Sequence, residues 1–293
     1  MRVFVTGATG FIGAAVVKEL ISAGHTVLGL TRSEAGAKAL TAAGADVHHG
    51  DLEDLDSLRS GAAAADGVIH LAFIHDFSKF VENCEIDRRA IEALGAALKG
   101  SDRPLVVTSG VGLLAPGRIA TEDDKPARDF PRASEATALA LAADGLNASV
   151  VRLPQVHDTV KQGLVTYAIA IAREKGAFAY IGDGHNRWPA AHVLDVARLY
   201  RLALEKAEAG AIYHGVAEEG VSHKDIVDTL GRRLQIPVKS IAPDEAQAHF
   251  GWLAMFVAYD MPASSEKTRK KLGWQPTERG LIADLEQLYI PDR

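Results

Sequence analysis

The chain is short of several things, and each shortage removes a class of protein. Of its 293 residues only Cys84 is a cysteine, so no intrachain disulfide can form and no cysteine cluster can hold a metal. Basic residues are outnumbered, 32 Lys and Arg against 38 Asp and Glu, and with a formal charge of -6 nucleic acid is not an expected partner. No apolar run approaches the ~20 residues of a membrane helix, so no membrane association is expected. The eleven histidines include no His-x-x-x-His pair with acidic support, and His48 and His49, adjacent on an expected strand, point to opposite faces. No metal site is predicted. An apolar strand begins within a few residues of Met1 and leaves no room for a signal or transit peptide, so the expected location is cytoplasmic. Internal repeats and low-complexity segments are absent.

What is present is concentrated at the start. Val3, Phe4 and Val5 form a short β-branched and aromatic run, Gly7, Gly10 and Gly13 follow at three-residue spacing, and residues 14–23 take a helical apolar period. In that order the three glycines have distinct tasks. Gly7 turns the chain at the strand end, Gly10 lets the backbone approach a pyrophosphate, and Gly13 lets the helix pack on the strand. The helix N-terminus offers free N–H groups and a positive dipole end to phosphate. A dinucleotide fold reads the adenine ribose just past the second strand, here residues 25–31. An acid there would accept from a free 2′-hydroxyl, whereas Thr31, Arg32 and Ser33 stand in this chain, which favours NADP over NAD.

Strands are further expected at residues 45–49, 67–71, 105–108 and 148–153, alternating with helices at 54–64, 80–99 and 134–143. That rhythm predicts an α/β, Rossmann-type, doubly wound parallel sheet with right-handed crossovers. Residues 1–153 are the expected dinucleotide-binding domain, and 154–293 a smaller α/β substrate-binding lobe packed with it as one unit. Residues 115–131, polar and proline-bearing, are either a substrate-covering loop or a plain surface excursion.

These residues resemble a known family, the extended short-chain dehydrogenase/reductases. Thr6-Gly7-Ala8-Thr9-Gly10-Phe11-Ile12-Gly13 is similar to its cofactor signature, and Asp51-Leu52 to the pair that meets the adenine. Arg187-Trp188-Pro189-Ala190-Ala191-His192-Val193-Leu194-Asp195-Val196-Ala197 resembles its Arg-x-x-x-x-His-Val-x-Asp-Val-Ala stretch, and residues 264–276 its closing Lys-x-x-x-x-Leu-Gly-Trp-x-Pro. The resemblance implies a cofactor set that adds Leu71, Ala72, Phe73 and Thr108 to the loop, Thr31–Ser33 and Asp51-Leu52.

It also marks a departure. The family's catalysis uses a Tyr-x-x-x-Lys pair on the helix after strand five, and here Ser134 and Ala138 stand in those places. No tyrosine anywhere in the chain has lysine four residues later. The chain therefore resembles the atypical members of that family. Ser109, ending strand five, is either the group that polarises a substrate carbonyl or a turn residue. For the missing proton donor the candidates are His75 with Asp76, His157 with Asp158 and Lys161, and Tyr180 and His192, with His75 and His157 favoured because histidine titrates near neutrality. Ser134, Tyr180, Arg187 and Trp188 are the expected substrate contacts, and His70 a core residue. The expected function is an NADP-dependent oxidoreductase acting on a small carbonyl, imine or activated alkene. The alternatives are a non-catalytic NADP-binding sensor or scaffold and a nucleotide-sugar epimerase or dehydratase. The alanine-rich helix at 134–143 suits a homodimer as well as packing on the sheet.

Overall fold

The computed structural model describes residues 1–127 and 130–290. The first half alternates β1 (Arg2–Thr6), α1 (Phe11–Ser22), β2 (Thr26–Thr31), α2 (Glu34–Ala42), β3 (Asp46–His49), α3 (Leu55–Ala63), β4 (Gly67–His70), α4 (Phe80–Leu98), β5 (Leu105–Gly110), α5 (Ser134–Ala143) and β6 (Ala148–Leu153). The second half runs β7 (Gln155–His157), α6 (Leu164–Lys175), β8 (Phe178–Ile181), β9 (Arg187–His192), α7 (Val193–Lys206), β10 (Ile212–His214), β11 (Glu218–Ser222), α8 (His223–Leu234) and β12 (Val238–Ile241). Four short helices follow: α9 (Ala246–Phe250), α10 (Ala254–Val257), α11 (Glu266–Leu272) and α12 (Leu281–Glu286).

Seven parallel strands form the central sheet in the order β10-β6-β5-β4-β1-β2-β3. The inner strands β1, β4 and β6 are apolar almost without interruption because helices cover both of their faces. On one face lie α1 and α7, where Val16, Val17 and Leu20 meet Val196, Leu199, Tyr200 and Ala203. On the other, α3, α4 and α5 bury Leu58, Ile91, Leu94 and Ala138. Side-chain caps start the helices where the sequence offers them: Ser33 accepts from Gly36 N–H, Asp54 from Ser57 N–H and Ser222 from Asp225 N–H.

The division at residue 153 marks where the chain first leaves this sheet, but not where its contribution ends. α7 and β10 return to it, so the two lobes are interleaved. The second lobe adds the β11-β9-β7 sheet and the parallel pair β12-β8, packed with α6, α8, α9, α10 and α12. Among the described residues no helix is long and apolar enough to cross a membrane.

The 115–131 stretch is no plain surface excursion over its described part. Gly117 and Ala120 donate to the carbonyls of Asp260 and Pro262, and Ser264 donates back to Ala120. Buried Glu122 accepts from the backbone and hydroxyl of Thr268 at 2.8 and 2.6 Å. Arg152 reaches the Asp124 carbonyl at 2.7 Å. The segment is thus fastened across both lobes.

Candidate active site

The glycine loop has the geometry its spacing predicts. Gly7 has φ +67°, and a Cβ on it would meet Ala72 N at 2.8 Å, so only glycine fits there. A Cβ on Gly13 would collide with the Gly7 carbonyl. Gly10 differs: the sole atom near its hypothetical Cβ is the Gly7 oxygen, at 3.1 Å. It opens α1 with no side-chain cap, and Thr9 and Gly10 are exposed. A cradle that a side chain would fill, at an uncapped helix N-terminus beside two exposed residues, fits a dinucleotide pyrophosphate. Gly10→Val is therefore expected to weaken binding of a nicotinamide dinucleotide at least ~100-fold with melting within a few degrees of the parent; unchanged affinity would remove this assignment.

At the adenosine end, Thr31 is buried and its hydroxyl lies 3.4 Å from the Ser33 backbone, shaping the turn. Arg32 and Ser33 are exposed, and Arg32 makes no ion pair among the described residues. Asp51 Oδ1 accepts from Glu53 and Asp54 N–H at 2.8 and 3.0 Å, and Leu52 is buried beside it.

At the carboxyl ends of β4 and β5 lies a polar chain that was not foreseen. Thr6 Oγ1 accepts from Leu71 and Ala72 N–H and sits 2.8 Å from His70 Nδ1, which leaves the His70 Nε2–H to donate to Asp87 at 3.0 Å. The other Asp87 oxygen accepts from Ser134 at 2.5 Å, and Ser134 accepts from Arg132 Nε at 3.1 Å. Burial alone would raise the Asp87 pKa, but hydrogen bonds from His70 and Ser134 and the Arg132 charge hold it below the ordinary carboxylate value. Arg132 Nη2 lies 3.4 Å from the Thr108 carbonyl, and its guanidinium stacks over the Phe73 ring at 4.5 Å. A cation with further N–H donors is therefore fixed where ligands bind in this class of sheet. Tyr200 also reaches the end of β5, 2.7 Å from Thr108 Oγ1, but it is fully buried and burial raises its pKa, so it is no proton donor to a pocket.

The structure brings together some of the expected residues and separates others. Phe73, Thr108 and His75 lie near Arg132, while Leu71 and Ala72 bond Thr6 through their N–H groups. His75 contacts Phe73 edge-on at 5.4 Å, and desolvation followed by the Arg132 charge lowers its pKa, which favours the neutral ring over an acid. Ser109 is buried on β5 in register with Arg152. Ser134 is fully buried and its hydroxyl is committed to Asp87 and Arg132. His157 was expected on a pocket loop, but β7 forms there and carries it into the second lobe, 0 % exposed, 2.8 Å from Asp284. Trp188 is a core residue, 2 % exposed, with its indole N–H on the Phe256 carbonyl. Arg187 is neutralised by a two-pronged pair with Asp260 at 2.8 and 3.0 Å. Tyr180 lies on β8 under the Lys224 ammonium, 5.4 Å from its ring.

The second-lobe stretches that carry the family resemblance meet one another. Asp195 accepts from the backbones of Thr277 and Glu278, and buried Trp274 donates to the Asp195 carbonyl at 2.9 Å. Their role here is to lock α7 to the end of the chain.

The profile of the NAD dependent epimerase/dehydratase family matches residues 3–216. The chain belongs to this family. An uncharacterized protein of Schizosaccharomyces pombe is 50% identical to it, over 97% of this chain and 98% of that one. A ketoreductase of Stigmatella aurantiaca, named for a 4-hydroxy-2-methyl-3-oxo-4-farnesyl-3,4-dihydroquinoline-1-oxide substrate, is 26% identical over 94% of this chain and 92% of its own. Among solved structures, the dTDP-glucose 4,6-dehydratase DesIV of Streptomyces venezuelae, with NAD and TYD bound, superposes with a TM-score of 0.78 at 20% identity, covering 98% of this chain and 95% of that one. The central sheet is thus the NAD(P)-binding Rossmann sheet of the epimerase/dehydratase family. Its seven parallel strands and the glycine turn after β1 serve that architecture.

Proposed function

We propose that this protein is an NADP-dependent reductase of a carbonyl substrate in which Arg132, and not a tyrosine, polarises the reacting oxygen. The observation that carries the reading is the guanidinium held at the ends of β4 and β5 by a buried carboxylate through Ser134. A fixed cation aimed at a developing oxyanion stabilises it without reorganising at the moment of reaction. Asp87 acts through Ser134 to orient Arg132, and Phe73 supports the guanidinium from below. The nicotinamide, when bound, supplies the hydride to the carbonyl carbon and leaves oxidised, and the resulting alkoxide takes a proton from water. Gly7, Gly10 and Gly13 would hold its pyrophosphate, and Arg32 with Ser33 the 2′-phosphate. The absence of the Tyr-x-x-x-Lys pair, on which epimerisation depends, favours this reaction class, and the pairing of Arg187 with Asp260 removes the cation that a sugar nucleotide would use.

Titration of the purified protein with NADPH and NADH, followed by turnover of a carbonyl panel, tests it. NADPH is expected to bind more tightly than NADH, and Arg32→Ala to weaken NADPH alone by about 10- to 100-fold. An equal loss for both cofactors would place the phosphate reader elsewhere. Tight binding with no turnover of any carbonyl would replace the reductase reading with a non-catalytic NADP-binding one.

A further inference from the structure

We infer that Asp87 is a shared anchor that sets the cofactor loop through His70 and Arg132 through Ser134, and so fixes the hydride donor and the polarising cation relative to each other. This rests on the reductase reading above and adds to it His70 and Thr6 as positioning residues.

Counting protons fixes the direction of every link. Thr6 Oγ1 accepts from Leu71 and Ala72 N–H at 3.2 and 3.3 Å, which occupies both of its lone pairs. Its one O–H is therefore left for His70 Nδ1, at 2.8 Å. That nitrogen must then be an acceptor, and the ring proton sits on Nε2, 3.0 Å from Asp87 Oδ1. From the other side Ser134 gives its only proton to Asp87 Oδ2 and accepts Arg132 Nε–H at 3.1 Å. Both arms point their protons at Asp87, which accepts from each and donates to neither, the role of an ionised carboxylate.

The first arm ends on the cofactor loop. Thr6 directly precedes Gly7, and the Leu71–Ala72 backbone that it holds is the one a Cβ on Gly7 would strike, at 2.8 to 3.0 Å. A shift of Thr6 therefore moves the backbone against which the glycine turn is packed. The second arm ends on the guanidinium. Between them the chain draws on four elements, β1, β4, α4 and α5, and joins residues up to 64 positions apart.

Burial makes the arrangement rigid and indirect. Thr6, His70, Asp87 and Ser134 are each at most 2 % exposed, so none of them is open to a ligand. An effect of His70 or Asp87 on dinucleotide affinity must pass along the chain. A buried polar network is costly unless every member is satisfied, and when satisfied it holds a single arrangement. Hydride transfer rewards that property, because misplacing the reacting groups by about 1 Å can cost on the order of 100-fold.

Two readouts on the full-length protein test this without turnover. Calorimetric titration with NADPH and with NADH reports on the loop, and the rate at which phenylglyoxal labels Arg132, read by peptide mass spectrometry, reports on the cation. Ser134→Ala is expected to speed the labelling and leave dinucleotide affinity unchanged. His70→Leu is expected to weaken the dinucleotide about 10-fold with labelling as in the parent, and Asp87→Leu to do both. His70→Gln, whose amide accepts and donates at once, should keep most of the affinity, which a role in packing alone would not produce. Equal losses in His70→Leu and His70→Gln, affinity untouched by His70→Leu or by Asp87→Leu, or labelling untouched by Ser134→Ala would each overturn the inference. The two His70 variants decide it if Asp87→Leu does not fold. Turnover of a carbonyl panel judges the reductase reading separately. If the expected split appears and no carbonyl is reduced, the anchor stands and the reductase reading fails. If the parent reduces a carbonyl and His70→Leu leaves affinity and kcat/KM unchanged, the reductase reading stands and the anchor fails. Binding of neither dinucleotide by the parent overturns both.

Discussion

Arg132→Ala is expected to bind NADPH as the parent does and to lose ~10²- to 10³-fold in kcat for its carbonyl substrate, the loss seen when one preorganised oxyanion donor is removed. The loss follows from how Arg132 is held. Its Nε is committed to Ser134 and Nη2 lies 3.4 Å from the Thr108 carbonyl, so the guanidinium keeps further N–H groups beyond these two contacts. Arg132→Lys keeps the charge but not the fork, and should recover only part of the activity. Ser134→Ala cuts the link to Asp87 and should lower kcat while leaving KM for NADPH unchanged. Steady-state kinetics on the three variants check this. A change confined to the substrate KM would make Arg132 a binding group, and an unchanged kcat would remove its role.

Glu135→Gln is expected to be the most destabilising of the single substitutions considered. Glu135 meets Arg152 in a bidentate pair at 2.7 and 2.6 Å, with the two side chains 4 % and 0 % exposed. Arg152 also donates to the Asp124 carbonyl and sits 3.0 Å from His214. Removing one partner of a buried pair leaves the other charge uncompensated, at a cost of about 3–5 kcal/mol. The fall in melting temperature should be about 10 °C. Calorimetry or circular dichroism measures it. Because Arg152 ties the 115–131 segment to β6 and α5, the same change should open that segment to protease. A fall of less than 2 °C would mean that water already shares the site.

The features legible in the sequence are those set by neighbours in the chain. The strand, glycine turn and helix at residues 2–22 are one local unit, and α5 has the bounds its alanine-rich run predicts. β9 was not foreseen because Pro189 lies inside it, where it removes a ladder donor. The structure accommodates that proline opposite a register shift between Glu218 and Val221 of β11. β7 went unrecognised because it is only three residues long, and His157 was misplaced with it. Arg132 stood in an aperiodic, proline-bearing stretch, and its significance depends on Asp87, whose contact with Ser134 spans 47 positions.

The interleaving of the lobes bears on how the chain is born. β6 emerges from the ribosome before its neighbour β10, and the side of the sheet that α7 will cover stays open until that helix appears. At 5–20 residues per second the wait from residue 153 to residue 214 is roughly 3–12 s. Through that interval Val16, Val17 and Leu20 lack their partners on α7, and the unpaired edge of β6 is a template for another nascent chain. The central sheet is therefore completed only by a segment that the ribosome delivers after part of the second lobe has already been made.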